Sequence, residues 1–353
     1  AGLALAGLVP AAALGLAFPT PGHEPFAASS FWPALAAVLL LAALAPTLRP
    51  GATLYALACA AAFAIPTPVG GNAVRLGALF AGPLAAVATS RERRPALLVL
   101  ALPLAYWQLQ APIRDVVVAH GDPSTRAAYY APLERFLARE PGGGPRRVEV
   151  PFTRVHWEAA LLAPDVALAR GWERQLDIAD NDVFYGPRLS AGAYAAWLRA
   201  TGVAFVALPD ARLDYSARAE AELIRGGLPY LRLVGRPAHW RVYAVADPGR
   251  LASAPARLTA VGADGFTLDF ARAGTSVVRL RFTDYWTAPG ACVGRAPGGF
   301  TAVRAERRGR VRVSARLDPG LLLERGRVCG GLPGPARRAG DSAGPVGGAG
   351  GAG

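Results

Sequence analysis

From Ala1 to Pro112 hydrophobic and small residues run almost without interruption, and the few charges fall in the gaps between apolar runs. Five runs stand out: Ala1–Phe18, Phe31–Pro46, Ala52–Pro66, Ala73–Thr89 and Ala96–Pro112. Each is roughly 15–18 residues long, at or just below the ~20 that a helix needs to cross a bilayer. Five such runs in succession, with hardly a charge inside them, predict an α-helical transmembrane bundle rather than core helices. Phe26 and Leu48 can extend the runs. Pro10, Pro33, Pro83 and Pro103 would kink helices, which is tolerated where neighbours satisfy the freed carbonyls.

Orientation follows from where the basic gaps fall. The short loop Arg91-Glu92-Arg93-Arg94 is expected on the cytoplasmic side, and Arg49 in another gap agrees with it. Pro19–Ser30 and Thr67–Asn72 would then lie outside, the fifth helix would run outward, and everything after Arg114 would be extracytoplasmic. The predicted localisation is therefore a multi-pass cell-membrane protein. Ala1–Phe18 lacks the basic start of a signal peptide, so residues upstream of Ala1 are expected.

After Arg114 the pattern changes. Arg147–Thr153 and Val203–Leu208 are short β-rich runs. Ala191–Ala200 and Ser216–Arg225 have helical spacing, with Gly202 and Gly226-Gly227 as stops. Tyr230–Val234 and Trp240–Val245 read as strands around Arg236-Pro237. From Leu251 short strands alternate with turns: Arg257–Val261, Phe266–Phe270, Ser276–Phe282, Phe300–Glu306 and Arg310–Leu317. The expected organisation is a multi-domain membrane protein: transmembrane helices over 1–112, an extracytoplasmic α/β domain over 113–250, a β-sandwich-like domain over 251–330, and a disordered Gly/Ala/Pro-rich tail over 331–353.

Composition narrows the chemistry. The net charge of +13 invites a nucleic-acid reading, but the Arg residues are interspersed with acids rather than gathered on a stripe. Nucleic acid is therefore excluded as a partner. The chain has no Lys and no Met, and Asn only at 72 and 181, a GC-rich signature. Without Lys there can be no Walker A loop and no Schiff base. The Gly142-Gly143-Gly144 run is then a flexible loop rather than a nucleotide cradle.

Several residues are candidates for function. Asn72 can cap the fourth helix, and Arg75 lies one turn into an otherwise apolar run, where it could hold a lipid phosphate or snorkel to the surface. The richest polar stretch is Arg154, His156, Trp157 and Glu158, followed by Trp172 and Asp177. Histidine and carboxylates so close together suit acid–base work, and the two Trp could stack on sugar rings. The same residues could equally form a polar domain surface with Trp anchors. Asp177, Asp180 and Asp182 lack EF-hand spacing, and His23, His120, His156 and His239 lack zinc spacing, so no metal is assigned. Cys292 and Cys329 are expected to form a disulfide in an oxidising compartment, and Cys59 to be a buried apolar residue.

Five phrases carry a resemblance: Gly71-Asn72-Ala-Val-Arg75-Leu-Gly77; Tyr129-Tyr130 with Pro132-Leu133; Val148-Glu149-Val150-Pro-Phe-Thr-Arg154 with His156-Trp157-Glu158; Ala169-Arg-Gly-Trp-Glu-Arg-Gln-Leu176; and Val206-Ala-Leu-Pro-Asp210. Over most of Ala52–Val328 the chain resembles the C-terminal half of large actinobacterial membrane proteins that look like polyprenol-phosphate-dependent (GT-C type) glycosyltransferases and YfhO-like proteins. The resemblance implies a lipid-linked (polyprenyl-phosphate) sugar donor, membrane lipid and a glycan acceptor as partners, and a catalytic Asp in a first outer loop. No residue of this chain matches that Asp, so no catalytic residue is carried over. The alternatives are a non-catalytic envelope binding or assembly protein and a transporter or flippase subunit. No oligomeric state is specified by any of these patterns.

Overall fold

The computed structural model describes residues 2–18, 22–89, 94–140 and 144–316. Five apolar helices come first: α1 (Gly2–Ala17), α2 (Ala28–Leu44), α3 (Arg49–Ala64), α4 (Val74–Ala88) and α5 (Arg94–Ala119). The apolar runs thus do form helices, but the expected multi-span bundle is corrected. The first four have 16, 17, 16 and 15 residues, about 25 Å at 1.5 Å per residue against a hydrocarbon core of ~30 Å. The fifth continues to Ala119, through Arg114 and Asp115, where the pattern placed the end of the apolar half. Among the described residues one stretch, Gly70–Ala88, is long and apolar enough to cross a membrane, with 19 residues and a mean hydropathy of 1.3. The multi-pass localisation, and the outside placement of the C-terminal region that followed from it, fall with that finding. Of the loop that set the orientation, residues 91–93 lie outside the described residues.

Close approach between α3, α4 and α5 depends on small residues. Leu41, Ala81, Ala85 and Leu104 form a buried cluster. A Cβ on Gly77 would meet the Trp107 ring at 2.5 Å and the Tyr55 hydroxyl at 2.8 Å. That hydroxyl accepts from Gly77 N at 2.9 Å and donates to Ala73 O at 2.7 Å. Pro83 inside α4 cannot donate to the carbonyl of Leu79. Gln108 Nε2 of α5 donates to that carbonyl instead, at 3.3 Å.

After α6 (Ala127–Arg139) the chain builds a five-stranded sheet from β1 (Arg147–Glu149), β2 (Ala167–Leu168), β3 (Val203–Pro209), β4 (Leu231–Gly235) and β5 (Trp240–Val245). Its order is β2-β1-β3-β5-β4, with β1 parallel to both β2 and β3 and the β5 pairings antiparallel. α7 (Glu158–Leu161) lies between β1 and β2; α8 (Arg174–Asp180) and α9 (Ala191–Thr201) lie between β2 and β3; α10 (Arg218–Arg225) follows β3. Both faces are covered. Phe205 and Ala207 pack with Tyr129, Tyr130 and Leu133 of α6, while Val206 and Leu208 pack with Tyr194, Leu198 and Ile224. Burial on both sides explains why β3 reads as a continuous apolar run rather than an alternating one. Gly202, at φ 75°, ends α9 in the left-handed region just before β3 begins.

This sheet and the helical region form one compact unit, Ala1–Glu140 with Arg147–Asp247; the other unit is Pro141–Arg146 with Pro248–Gly353. The second unit carries β6 (Ala256–Gly262), β7 (Gly265–Phe270), β8 (Gly274–Arg281), β9 (Trp286–Thr287), β10 (Ala291–Arg295), β11 (Phe300–Ala305) and β12 (Gly309–Ala315). They make two antiparallel sheets, β6-β7-β12-β9 and β10-β11-β8. Leu258, Phe266, Leu268, Phe270, Val311 and Val313 of the first sheet share one core with Val278, Val303 and Ala305 of the second. The expected tail, 331–353, lies outside the described residues.

Candidate functional site

The polar residues that the sequence singles out collect at the carboxyl ends of β1, β2 and β3. That edge is where open α/β sheets bind ligands, because neighbouring loops part where the strand order reverses. Here the order β2-β1-β3 puts the reversal between β1 and β3. Instead of parting, the loops leaving those two strands are zipped together: Thr153 bridges Leu213, Arg154 N donates to Arg212 O at 2.8 Å, and Asp214 N donates to Phe152 O at 3.0 Å. The pairing delivers His156 and Glu158 from one loop, and Asp214 and Ser216 from the other, to the same place.

At the surface Arg174, the first residue of α8, holds Asp214 with both terminal nitrogens at 3.0 Å. Arg174 Nη1 also donates to the Tyr185 hydroxyl at 3.2 Å and to Ser216 Oγ at 3.3 Å, and its guanidinium lies 4.8 Å from the centre of the Tyr215 ring. Asp214 accepts from Ser216 N at 3.0 Å and Ser216 Oγ at 2.7 Å, closing the short turn that follows it. Burial opposes ionisation of Asp214, but hydrogen bonds from His156, Arg174 and Ser216 outweigh it and hold the carboxyl well below its ordinary range. His156 stands between two carboxylates, with Nε2 3.5 Å from Asp214 and Nδ1 3.7 Å from Glu158. Its backbone is at φ 58°, a strained conformation for a side-chain-bearing residue. Glu158 is buried and accepts from the backbone N and hydroxyl of Thr153; burial raises its pKa.

Two aromatic side chains beside this paired centre remain open, Trp172 at 57% and Tyr215 at 57% exposed, and Trp157, next to His156 in sequence, is 45% exposed. Trp172 lies 6.2 Å from the His156 ring. A Trp ring left about half open to solvent forfeits the burial of much of a large apolar area. The loop before α2 also reaches this region: Gly22 packs so closely on α8 that a Cβ there would fall 2.1 Å from Gln175 O.

Directly beneath lies a second cluster, fully buried. Arg170, just after β2, makes a two-pronged contact with Asp177 at 3.1 and 2.7 Å, and its Nη1 lies 3.4 Å from both Glu149 and Glu220. Its guanidinium is sandwiched between Phe152 at 4.1 Å and Phe184 at 3.9 Å. Asp177 also accepts from Asn181 Nδ2 at 2.8 Å and from the Tyr185 hydroxyl, and Asn181 accepts from Trp197 Nε1 at 2.9 Å. Tyr194 donates to Glu220 at 2.7 Å. Burial, reinforced by the neighbouring Glu220, raises Glu149 well above the ordinary carboxylate range; burial pushes Glu220 up to about 7.

Of the sequence candidates, His156, Glu158 and Trp172 are brought together, and Trp157 stands exposed beside His156. Arg154 is exposed, and its backbone forms part of the zipper. Asp177 belongs to the buried cluster and is screened from the surface by its partners. Asp182 pairs with Arg188 at 3.0 Å, so it does not converge with Asp177 on a cation. Among the described residues no group of three or more His, Cys, Asp or Glu could hold a metal ion. Asn72 does not cap α4: residues Gly70–Ala73 form a short 3-10 turn running into the helix, with no side-chain cap. Arg75 is exposed on the first turn of α4. Cys59 is buried and free. Cys292 is disulfide-bonded, while Cys329 lies outside the described residues.

Sequence reasoning missed Asp214, Ser216, Tyr185 and Tyr215, and noted Arg174 only as part of a polar phrase. The Asp214-Tyr-Ser216 spacing was a legible signal, because Asp followed two residues later by Ser favours a self-capped turn. Its partnership with Arg174, forty positions away, could come only from the sheet order. No family model, curated protein or solved structure matches this chain.

Proposed function

We propose that this chain is a glycan-binding protein whose site is the aromatic-rimmed patch at the carboxyl ends of β1, β2 and β3. The observation that carries the reading is the exposure of Trp172 and Tyr215 beside a polar floor of His156, Arg174 and Asp214, with Trp157, the neighbour of His156 in sequence, exposed as well. Sugar rings present apolar C–H faces that stack on aromatic rings and hydroxyls that need polar partners, and the patch offers both. Binding suits the patch better than catalysis. Asp214 is occupied by Arg174 and Ser216, and Glu158 by Thr153, so neither carboxylate beside His156 is left to shuttle a proton. A lipid-linked sugar donor remains what the sequence resemblance suggests, and nothing in the site's geometry is needed for it.

The test is an immobilised panel of neutral, amino-bearing and anionic oligosaccharides probed with the full chain, followed by calorimetric titration of the strongest binder. The reading expects saturable binding that weakens at least tenfold in Trp172→Ala without a change in melting temperature. Failure to bind any class, or equal affinity in both Trp172→Ala and Trp157→Ala, would overturn it.

A further inference from the structure

The surface patch and the buried cluster are joined by one atom. The Tyr185 hydroxyl donates to Asp177 below and accepts from Arg174 Nη1 above, at 3.2 Å. The chain of contacts runs without a gap from Glu149 and Glu220 through Arg170, Asp177, Tyr185 and Arg174 to Asp214 and His156. It draws on β1, the segment after β2, α8 and α10, and on Tyr194 of α9, which hydrogen-bonds Glu220. Within it, three carboxylates face a single guanidinium in a space closed to water, so full ionisation would leave two uncompensated negative charges. Glu149 Oε2 meets no donor. A proton shared between the Glu149 and Glu220 carboxyls removes part of the imbalance and gives the orphaned edge of the pair an occupant.

We propose that the buried Glu149–Glu220 pair is a proton-operated switch for the aromatic-rimmed site, and that the Tyr185 hydroxyl transmits its state to Arg174. Loss of the shared proton to solvent adds a negative charge beside Arg170, which draws the guanidinium toward the glutamates and loosens it from Asp177. Asp177 then pulls harder on the Tyr185 hydroxyl, and Arg174 shifts against Asp214, His156 and the Tyr215 ring. Regulation of glycan binding rests on the functional reading above; the coupling itself does not, and is testable without ligand.

The experiment follows the full chain by NMR between pH 5 and 8.5, with the carboxyl carbons of Glu and the Nε–H groups of Arg labelled. Arg174→Lys assigns the Arg174 signal. Because His156 lies 3.5 Å from Arg174, His156→Gln serves as the control for direct titration of that ring. The switch requires the Arg174 signal to move with the same midpoint as the Glu220 carboxyl, near pH 7. The movement should persist in His156→Gln and vanish in Tyr185→Phe and Glu220→Gln. A static Arg174 signal, a midpoint that differs from that of Glu220, or movement that survives Tyr185→Phe overturns the proposal. Variants serve the midpoint comparison only for assignment, and through-bond assignment of the unaltered chain identifies both signals if a variant fails to fold. If the coupling is found but no oligosaccharide binds, the switch stands and the glycan reading falls.

Discussion

At the scale of single residues, Arg170 is the side chain on which the α/β unit most depends. It contacts Glu149, Asp177 and Glu220 at once, and two aromatic rings close over its faces. Arg170→Met fills a similar volume but strands buried acids, and breaking a buried ion pair costs ~3–5 kcal/mol. Urea denaturation should show a loss of that order. A loss near that of an ordinary surface change, under about 0.5 kcal/mol, would mean that the cluster is not the anchor described. Trp172 offers the opposite case. Its ring is mostly in water, so Trp172→Ala should leave the urea midpoint in place while removing ligand affinity. Both Trp and His156 were legible as site residues because they stand in one polar phrase. Asp177 was misread as a surface ligand because nothing local distinguishes a carboxylate facing solvent from one facing Arg170.

At the scale of elements, two features make specific demands. Gly77 lets Trp107 of α5 and Tyr55 of α3 close against α4. Gly77→Val places branched carbon where those groups already sit, and overpacking of this kind costs ~1–3 kcal/mol. The loss should appear as a lower melting temperature, whereas substitution at Gly15, where a Cβ meets nothing within 4 Å, should lack that steric loss. The acids make the second demand, because Glu149 at the end of β1, Glu220 in α10 and Asp214 in the zipped loop after β3 give stability its pH profile. Glu149 and Glu220 have raised pKa values in the folded state, so their contribution is present at acidic pH and lost as pH rises above the ordinary carboxylate value, for Glu220 toward about 7. Asp214 is shifted the other way, so its contribution is present above its ordinary pKa of 3.8 and lost as pH falls below it. Thermal melts across pH should therefore peak in the mildly acidic range and decline toward neutrality. Glu220→Gln should flatten the neutral side and leave the acid side unchanged; a decline of equal size in that variant would contradict the assignment.

At the scale of the whole molecule, the pattern of apolar and polar positions located most helices and strands but misjudged what the helices build. Unbroken apolar runs placed α1 to α4 within a few residues, and the turn residues placed β6, β7, β11 and β12. Length decided the rest: runs of 15 to 17 residues make helices that stop short of a bilayer core. β2 and β9 have two residues each, too few to show a period, and β2 nevertheless positions Arg170. The site was half legible for the same reason, since residues close in sequence could be grouped and those joined by the sheet order could not.

If sugar binds on the exposed aromatic rim, the rim tryptophans should report it and the buried ones should not. Seven Trp residues give the chain an internal control. The indole N–H groups of Trp197 and Trp240 are buried and bonded to Asn181 and to the Tyr129 carbonyl, whereas Trp157 and Trp172 are open. Titrating the strongest-binding oligosaccharide while following the indole N–H signals tests the claim most directly. Binding on the rim should give saturable shifts at Trp157 and Trp172 with Trp197 and Trp240 unmoved; saturable binding that leaves both exposed Trp signals in place would place the sugar elsewhere.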